Sequence, residues 1–356
     1  MHTSIRTLPL LALGVAVPAA VLVGALAVPA QAAPSSAAKA PTAQQLIERI
    51  AKSGSASYSG TIRQTSDLGL PQLPAAGPGS ASSDDTGIVD IVTAPHTAKV
   101  YVHGKSQQRV QVLDQLAERD IVRDGSSVWI WDSKQKTAQH LVLPSTTSAS
   151  PTPTTPSDLA KRLLTAVQKS STVSVTTGAT VAGRSADRLV LTPKTDQTLV
   201  AKVVVSVDHA TGVPLKVAVD ARGQAGDAVS VGFTDVSFST PDSSRFSFTP
   251  PKSAKVTTKD LSAALPGAKG DHLTNDPDAT AAPKPAVSGT GWASVVTLPS
   301  AKLPADVSGD PLFSQLTTAV EGGRALQTSL VTVLFTDDGR VLAGAVPIST
   351  LQAAAS

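Results

Sequence analysis

The stretch of the chain that decides the fold covers residues 98–131 and reads AKVYVHGKSQQRVQVLDQLAERDIVRDGSSVWIW. Apolar and polar residues alternate in it, over 98–102 and again over 110–112. Alternation with a period of two is typical of half-buried strands. The segment 103–105 and the pair Asp124-Gly125 are turn signals between such strands. The stretch therefore predicts a meander of antiparallel strands.

A helix and a strand are predicted before this meander. Thr42 and Gln45 match a capping box, and apolar residues follow at helical spacing as far as Ile50. The segment 57–66 then alternates like a half-buried strand. At the end of the meander, apolar residues on both faces of Val128–Trp131 predict a strand with core on both sides.

After the meander, the order of helix and strands repeats. The segment 144–157 is rich in Pro, Ser and Thr and has no apolar residues to bury, so it is predicted to be a linker. An amphipathic helix over 158–170 and about six short strands over 173–238 follow. Helices separated from runs of antiparallel strands indicate the α+β class. We expect one large curved sheet with two helices available to cover it.

The C-terminal part predicts a small α+β domain at 290–356, joined by a linker at 259–289 that is rich in Ala, Pro, Gly and Asp. Its predicted elements are a strand over 292–298, a helix that starts at Asp310-Pro311 and stops at Gly322-Gly323, and a hairpin. The predicted turn of that hairpin follows Phe335. About 65 residues is near the lower limit for independent folding.

Residues 1–32 are predicted to be a signal peptide. A start with Arg6 leads into an apolar stretch over 8–28, and Ala30-Gln31-Ala32 matches a signal-peptidase site. Because the apolar stretch is long, an uncleaved membrane anchor is the alternative. No later segment reaches the roughly 18 apolar residues of a membrane span. We therefore expect an exported protein in the cell envelope or outside the cell, with no span after cleavage.

The composition excludes several classes of function. Of the 356 residues only 16% are charged, and 30 basic residues against 27 acidic ones give a net charge of +3. This small excess does not neutralise a run of phosphates, so we expect no nucleic-acid partner. The chain has no cysteine, which removes disulfides, thiol catalysis, thiolate zinc sites and a lipid-modified N-terminal cysteine.

The chain offers no local signature of catalysis. Its histidines are not at metal-ligand spacing. Gly104-Lys105-Ser106 resembles the end of a phosphate loop, but Lys99 stands where the loop requires glycine. Asp337-Asp338-Gly339 lacks the other ligands of a calcium loop. We predict a non-catalytic protein with no metal and no cofactor, and a dispersed Ser/His/Asp triad stays open as the alternative.

The remaining signal is shape and apolarity. A curved sheet has a concave face, and helices laid across its mouth make an apolar pocket. The alternative for each apolar strand residue is that it fills an ordinary core. The candidate cavity residues are the inward members of the strands and three leucines of the loop 68–73: Ile62, Leu68, Leu70, Leu73, Val100, Val102, Val110, Val112, Trp129, Trp131, Leu189, Leu191, Val203 and Val205.

Several motifs over residues 42–258 carry a family resemblance. They are the helix TAQQLIERI at 42–50 with Tyr58-Ser-Gly-Thr61, the strand Val128-Trp-Ile-Trp131 after Asp124-Gly125, Val205-Ser-Val-Asp208 with Thr211-Gly-Val-Pro-Leu-Lys216, and Phe246-Ser-Phe-Thr-Pro-Pro-Lys-Ser-Ala-Lys-Val256. Together they resemble the LolA/LolB-like lipoprotein-carrier superfamily, in its exported actinobacterial form. Regulators of the RseB/MucB type share this domain and add a small C-terminal one.

The resemblance implies a half-open antiparallel β-barrel of about eleven strands, closed by helices, whose cavity holds acyl chains of lipids or lipoproteins. Leu68, Leu70 and Leu73 would then lie at the cavity mouth. The chain departs from carriers in its aromatic content of only 3% and in its insertions at 74–87 and 144–157.

Two alternatives accompany the carrier interpretation. A regulator of the RseB/MucB type would bind a membrane-bound partner of the anti-sigma kind through the C-terminal domain. It predicts an uncovered apolar patch around Phe313, Leu316 and Val320. An enzyme would need polar side chains that converge within the pocket.

Overall fold

The computed structural model describes two antiparallel sheets and the helices next to them. The predicted signal segment, Leu73 and most of the predicted helix over 158–170 lie outside the described residues, although residues 164–165 and 167–170 are helical. Among the described helices, none has the length and apolarity that a membrane span needs. The described residues are 40–70, 96–113, 118–144, 164–165, 167–261, 285–298 and 311–356.

The N-terminal helix α1 (Ala43–Lys52) forms as the sequence predicts. Both hydrogen bonds of the capping box are present, because Thr42 Oγ1 accepts from the Gln45 amide at 3.2 Å and Gln45 Oε1 accepts from the Thr42 amide at 2.9 Å. They satisfy two of the amides that a helix start leaves unpaired. Leu46 of α1 is completely buried, so the helix is fixed to the sheet beneath it.

A sheet of twelve strands forms the body of the molecule. Its strand order is β12-β6-β5-β4-β3-β2-β1-β11-β10-β9-β8-β7, and β12 is the one strand that pairs in parallel. The strands are β1 (Ser57–Ser66), β2 (Thr97–His103), β3 (Gln107–Leu113), β4 (Glu118–Asp124), β5 (Ser127–Asp132), β6 (Thr137–Val142), β7 (Ser171–Val181), β8 (Arg184–Pro193), β9 (Val200–Asp208), β10 (Pro214–Ala221), β11 (Asp227–Ser237) and β12 (Lys255–Asp260).

The large sheet is curved, but it does not close into a barrel. Gly178, with φ +81°, lies in an irregularity of the β7–β8 pairing, and beyond it Ala179 and Val181 pack toward Phe233 of β11. The two edge strands of this sheet, β12 and β7, do not pair with each other. The curved, half-open sheet predicted from the sequence is therefore confirmed as a large curved sheet that is not closed, in a structure that is mostly β with few helices.

The strand register separates an apolar face from an outer face, since directly opposed residues share a face. Trp129 and Trp131 share a face with Arg109, Asp120 and Val122, so the register places these two candidates on the outer face. The apolar face carries all the other strand candidates, and consists of Ile62, Val100, Val102, Val110, Val112, Leu189, Leu191, Val203 and Val205 together with Ala98, Ile121, Ile130, Val217, Val229 and Val231.

Helix α1 and a pair of aromatic rings cover parts of the apolar face. Over β8 and β9, Leu46 of α1 packs with Leu189 and Val207. At the start of β1, Tyr58 and Phe233 meet edge to face with ring centroids 5.8 Å apart. The cover leaves the middle of the face, on β11 and β1 to β5, less buried.

The segment after β11 covers the outer face. Phe246 is buried, and the Phe248 ring lies 5.6 Å from the Trp129 ring and 6.2 Å from the Trp131 ring. The other side of the Trp129 ring stacks on His140 at 4.3 Å. The motif that begins at Phe246 therefore acts as a cover for this face.

A second sheet of six antiparallel strands and two helices, α2 (Pro311–Leu316) and α3 (Ile348–Ala355), form the C-terminal unit. It has an apolar cluster of its own, to which Leu334 and Leu351 belong. In sheet order the strands are β13 (Ala286–Ser288), β14 (Val295–Leu298), β18 (Val341–Gly344), β17 (Thr332–Thr336), β16 (Gly323–Gln327) and β15 (Thr318–Val320).

Two predictions for the C-terminal unit are corrected. The predicted helix does not extend to Gly322, because Thr318–Val320 pairs with β16 as a strand. Arg324 secures the change by donating to Thr317 Oγ1 at 2.8 Å. Helix α3 is not predicted from the sequence, where its residues belong to no predicted element. The domain boundaries stay predictions.

Candidate functional site

A pocket of about 300 Å³ lies in the uncovered middle of the apolar face. This volume is at the lower end of the range for small-molecule sites. Its apolar wall comes from six neighbouring strands, β11, β1, β2, β3, β4 and β5, because their register brings alternate side chains to the same side. The apolar wall consists of Ile62, Ala98, Val110, Val112, Ile121, Ile130 and Val231.

The wall includes apolar side chains that remain open to solvent. Ile121 is 47% exposed and Val231 is 38% exposed, although both belong to strands within the sheet. Isolated exposed apolar residues are common, but here they lie in a concave group with five more. An apolar pocket of this kind can bury an apolar part of a ligand.

Polar groups border the pocket at the end of the strands. The backbone amide of Gln64 donates a hydrogen bond to the backbone carbonyl of His96 at 2.8 Å, and this bond fixes the start of β2 beside β1. Arg119 of β4 and Asp132 of β5 stand directly opposite each other in the register. An apolar wall with a polar border suits an amphiphile whose head group stays near water.

The outer face behind the pocket holds a buried ion pair. Arg109 donates from Nε to Asp120 Oδ1 at 3.0 Å and from Nη2 to Oδ2 at 2.5 Å, and Asp120 is 1% exposed. Burial raises the pKa of Asp120 and outweighs the hydrogen bond from Arg109. The pair ties β3 to β4, so it makes the floor of the pocket rigid.

Four of the sequence candidates line this pocket, namely Ile62, Val110, Val112 and Trp131. Trp131 reaches it at the end of β5, although its register places it with Asp120 on the outer face.

The other candidates lie elsewhere. Leu73 is outside the described residues. Two of them, Val100 and Val102, are buried beside Tyr58. Below α1 lie Leu189 and Val205, whereas Val203 and Leu68 belong to a cluster with the C-terminal unit. The remaining three are Leu191 and Leu70, which are half-buried, and Trp129, which lies on the outer face.

The candidate set missed Ala98, Ile121, Ile130 and Val231. The first three continue the alternation around the predicted hairpins, so the hairpin register could have placed them. Val231 could not be found in this way, because it enters through the pairing of β11 with β1.

The motif over 205–216 has a structural role at the turn between β9 and β10. Asp208 accepts hydrogen bonds from the Thr211 amide at 2.8 Å and from Arg184 Nε at 2.8 Å. Burial acts to raise the pKa of Asp208, but the bonds from Arg184 and Thr211 outweigh it and lower the pKa. At Gly212, with φ +77°, a Cβ would lie 2.7 Å from the Arg49 carbonyl oxygen, so only glycine lets α1 approach this turn.

Arg49 of α1 joins the same corner of the fold. Its Nη2 lies 2.5 Å from Asp187 Oδ2, and its Nη1 donates to the His209 carbonyl at 2.7 Å. Asp187 also lies 2.9 Å from His209 Nδ1. These contacts position α1 over β8 and β9, away from the pocket. In the part of the chain that the structure describes, no group of three or more His, Asp or Glu side chains could hold a metal ion.

The chain itself covers part of the patch that the regulator interpretation predicts. The Phe313 ring packs edge to face on the Phe335 ring at 5.2 Å, and the Arg324 guanidinium lies 5.9 Å from the Phe313 centroid. Val320 packs against the apolar cluster of the C-terminal unit. Phe313, Leu316 and Val320 are each half-buried among the described residues.

Comparison with known proteins finds similarity in solved structures. A complex of Pseudomonas aeruginosa MucA and MucB aligns at 17% identity over 87% of this chain and 96% of the other, with a TM-score of 0.45. A LolA superfamily protein from Nitrosomonas europaea aligns at 14% identity over 59% of this chain and 99% of the other, with a TM-score of 0.23. No family model and no curated protein matches the chain.

The LolA superfamily and the MucB regulators, which the sequence motifs resemble, are thus both among the solved structures similar to this chain. At these identities and TM-scores the similarity concerns the course of the chain alone.

Proposed function

We propose that this protein is an exported, non-catalytic carrier or sensor that binds acyl chains of lipids or lipoproteins on the apolar face of its large sheet. Export is inferred from the predicted signal segment at 1–32. The binding site is the pocket between β11 and β5.

The single observation that carries the proposal is the convergence of apolar side chains from six neighbouring strands on one open pocket. Ile121 and Val231 remain 47% and 38% exposed within it. Apolar surface in contact with water lacks the stabilisation that burial provides. A ligand that covers this surface provides that stabilisation, whereas the side chain of an ordinary core residue is already buried in the folded protein.

The chemistry of the wall favours an acyl chain over a polar ligand. Burial of each CH₂ group contributes about 0.8 kcal/mol, so a modest pocket can hold a chain reversibly. The polar border formed by Arg119 and Asp132, on the β4–β5 side of the pocket across from β11, leaves room for a head group near water. The apolar wall offers a chain no hydrogen bonds, and a chain requires none.

The test compares two valine or isoleucine positions that are equally exposed. Ile121 in the pocket and Val256 on edge strand β12 are each 47% exposed. Ile121→Asp places a charge in the apolar wall and should weaken binding of a fluorescent acyl probe by about tenfold or more. Val256→Asp, the matched control, should leave binding unchanged, because Val256 does not line the pocket and its register with Ala138 and Trp131 places it on the outer face.

Native mass spectrometry of the secreted protein, followed by solvent extraction, identifies what it carries. A co-purified lipid that Ile121→Asp loses and Val256→Asp retains would support the proposal and give the class of cargo. A lipid-free protein that also takes up no probe would overturn it. Equal loss in both variants would place the binding outside the pocket.

A further inference from the structure

The C-terminal unit contacts the apolar face through the loop between β16 and β17. Leu330 of this loop is 6% exposed and is packed with Val219 and Ala228 of the large sheet. Val229 of the apolar face and Leu68, which follows β1, pack against the same cluster. The C-terminal unit therefore supplies an apolar side chain to the face on which the pocket lies.

Hydrogen bonds within the loop keep Leu330 in place. The Thr328 amide donates to the Val331 carbonyl at 2.9 Å, and the Val331 amide donates to Thr328 Oγ1 at 2.9 Å. The Ser329 amide donates to the Leu68 carbonyl at 2.8 Å, which joins the loop to the end of β1. The loop is thus a fixed structure that holds Leu68 beside Leu330.

A second contact anchors the C-terminal unit on the other side. The Ala345 carbonyl accepts from the Leu199 amide at 2.8 Å and from Thr198 Oγ1 at 2.7 Å. Trp292 adds a hydrogen bond from Nε1 to Ser171 Oγ at 2.8 Å. These bonds hold the C-terminal unit, and with it the Leu330 loop, against the large sheet, so the loop can act as a wall at which a ligand ends.

The wall lies next to the pocket. Val229, which packs against the Leu330 cluster, and Val231, which lines the pocket, are successive residues on the same face of β11. Two residues along a strand span about 7 Å, roughly the length of a few methylene groups. A chain that lies in the pocket and extends along β11 in this direction therefore meets the Leu330 loop.

We propose that Leu330 is a specificity-determining residue, which together with Leu68 closes one end of the binding face and limits the length of the acyl chain. This inference rests on the proposed function. It makes the site composite, with a wall from the large sheet and an end from the C-terminal unit.

The experiment measures affinity for saturated fatty acids of roughly 8 to 18 carbons by competition with a fluorescent acyl probe on the full chain. Each methylene that becomes buried raises affinity about fourfold, until the chain reaches the wall and affinity levels off. Leu330→Ala should move this plateau about two carbons longer, so the longest chains gain about fifteenfold.

Leu334→Ala is the matched control. Leu334 is 1% exposed in the separate cluster of the C-terminal unit, so the same truncation removes a buried leucine that does not face the large sheet. Its plateau should equal that of the unaltered protein. Leu330→Val, which should shift the plateau by about one carbon, replaces Leu330→Ala if that variant does not fold.

The outcomes separate this inference from the proposed function. Binding whose plateau is the same in the Leu330 variants and the unaltered protein overturns the inference alone. An equal shift in Leu334→Ala overturns it too, because the effect would then come from general loosening of the unit. Absence of binding at every chain length overturns both the inference and the proposed function.

Discussion

The two faces of β3, β4 and β5 reverse the usual distribution of polar and apolar groups. On the apolar face Ile121 is 47% exposed, whereas its neighbour Asp120 on the outer face is 1% exposed. Asp120 is paired with Arg109, and Phe246 and Phe248 cover the aromatic residues beside it. The sheet therefore buries charge on one side and leaves isoleucine open on the other.

This difference predicts where substitutions should affect stability and where they should affect the proposed binding. The outer face is packed by its own chain, so substitutions there should lower the free energy of unfolding. The apolar face lacks an equivalent cover over the pocket among the described residues, so substitutions there should affect binding more than stability. Each face can be tested separately, because alternate residues of one strand point to opposite sides.

The largest effect is expected from removal of the outer cover. Phe246→Ala should lower the free energy of unfolding by about 4 kcal/mol, because it empties a buried aromatic site. Ile121→Ala on the open face should cost about 1 kcal/mol or less. Urea unfolding of both variants measures the difference, and equal losses would show that the two faces contribute equally.

A somewhat smaller loss is expected when the buried ion pair is broken. Arg109→Ala leaves the Asp120 carboxylate buried without its cation, which should cost about 3 kcal/mol. Lys99→Ala removes an exposed cation from the same outer face and should change stability by less than about 0.5 kcal/mol. If urea unfolding gave both variants the same stability, the pair would not stabilise this face.

The acid dependence of stability should differ between two buried carboxyl groups. The pKa of Asp208 is lowered in the folded state, so its contribution is present above about pH 4 and is lost as pH falls through the folded value. Asp208→Asn should therefore cost about 2 kcal/mol at pH 7 and progressively less below about pH 4.

The control for this prediction is Asp120, whose pKa is raised. A raised pKa means that the folded state takes up the proton first, so the contribution of Asp120 becomes more favourable as pH falls from neutral toward its unfolded value. Urea unfolding from roughly pH 7 to pH 3 measures both trends. A cost of Asp208→Asn that stays constant over this range would contradict the assignment.

Local patterns of the sequence were sufficient to predict many strands of the large sheet. The capping box at Thr42 predicts α1, and the turn at Asp124-Gly125 predicts the hairpin of β4 and β5, because both depend on residues close in the chain. The large curved sheet followed from the order of these local elements. The apolar alternation also placed Val110 and Val112 in the pocket.

Pairings between distant segments could not be predicted in this way. Val231 lines the pocket because β11 pairs with β1, although about 170 residues separate them in the chain. The cover by Phe248 explains the position of Trp129, since an apolar residue on a strand signals burial but not which face is buried. The contact of Leu68 with Leu330 joins residues still further apart in the chain, so local patterns could not predict it.

The smallest effect concerns a polar atom on the apolar face. Ser66 Oγ is buried and has no hydrogen-bond partner among the described residues, whereas Ser230 Oγ on the outer face lies 2.9 Å from Thr65 Oγ1. Ser66→Ala removes a hydroxyl that lost its hydration without compensation, so it should raise the free energy of unfolding by about 1 kcal/mol. Ser230→Ala leaves Thr65 unpaired and should lower it by a similar amount. Urea unfolding distinguishes a gain from a loss of stability. A loss of stability in both variants would mean that the Ser66 hydroxyl has a hydrogen-bond partner, as the Ser230 hydroxyl on the outer face does.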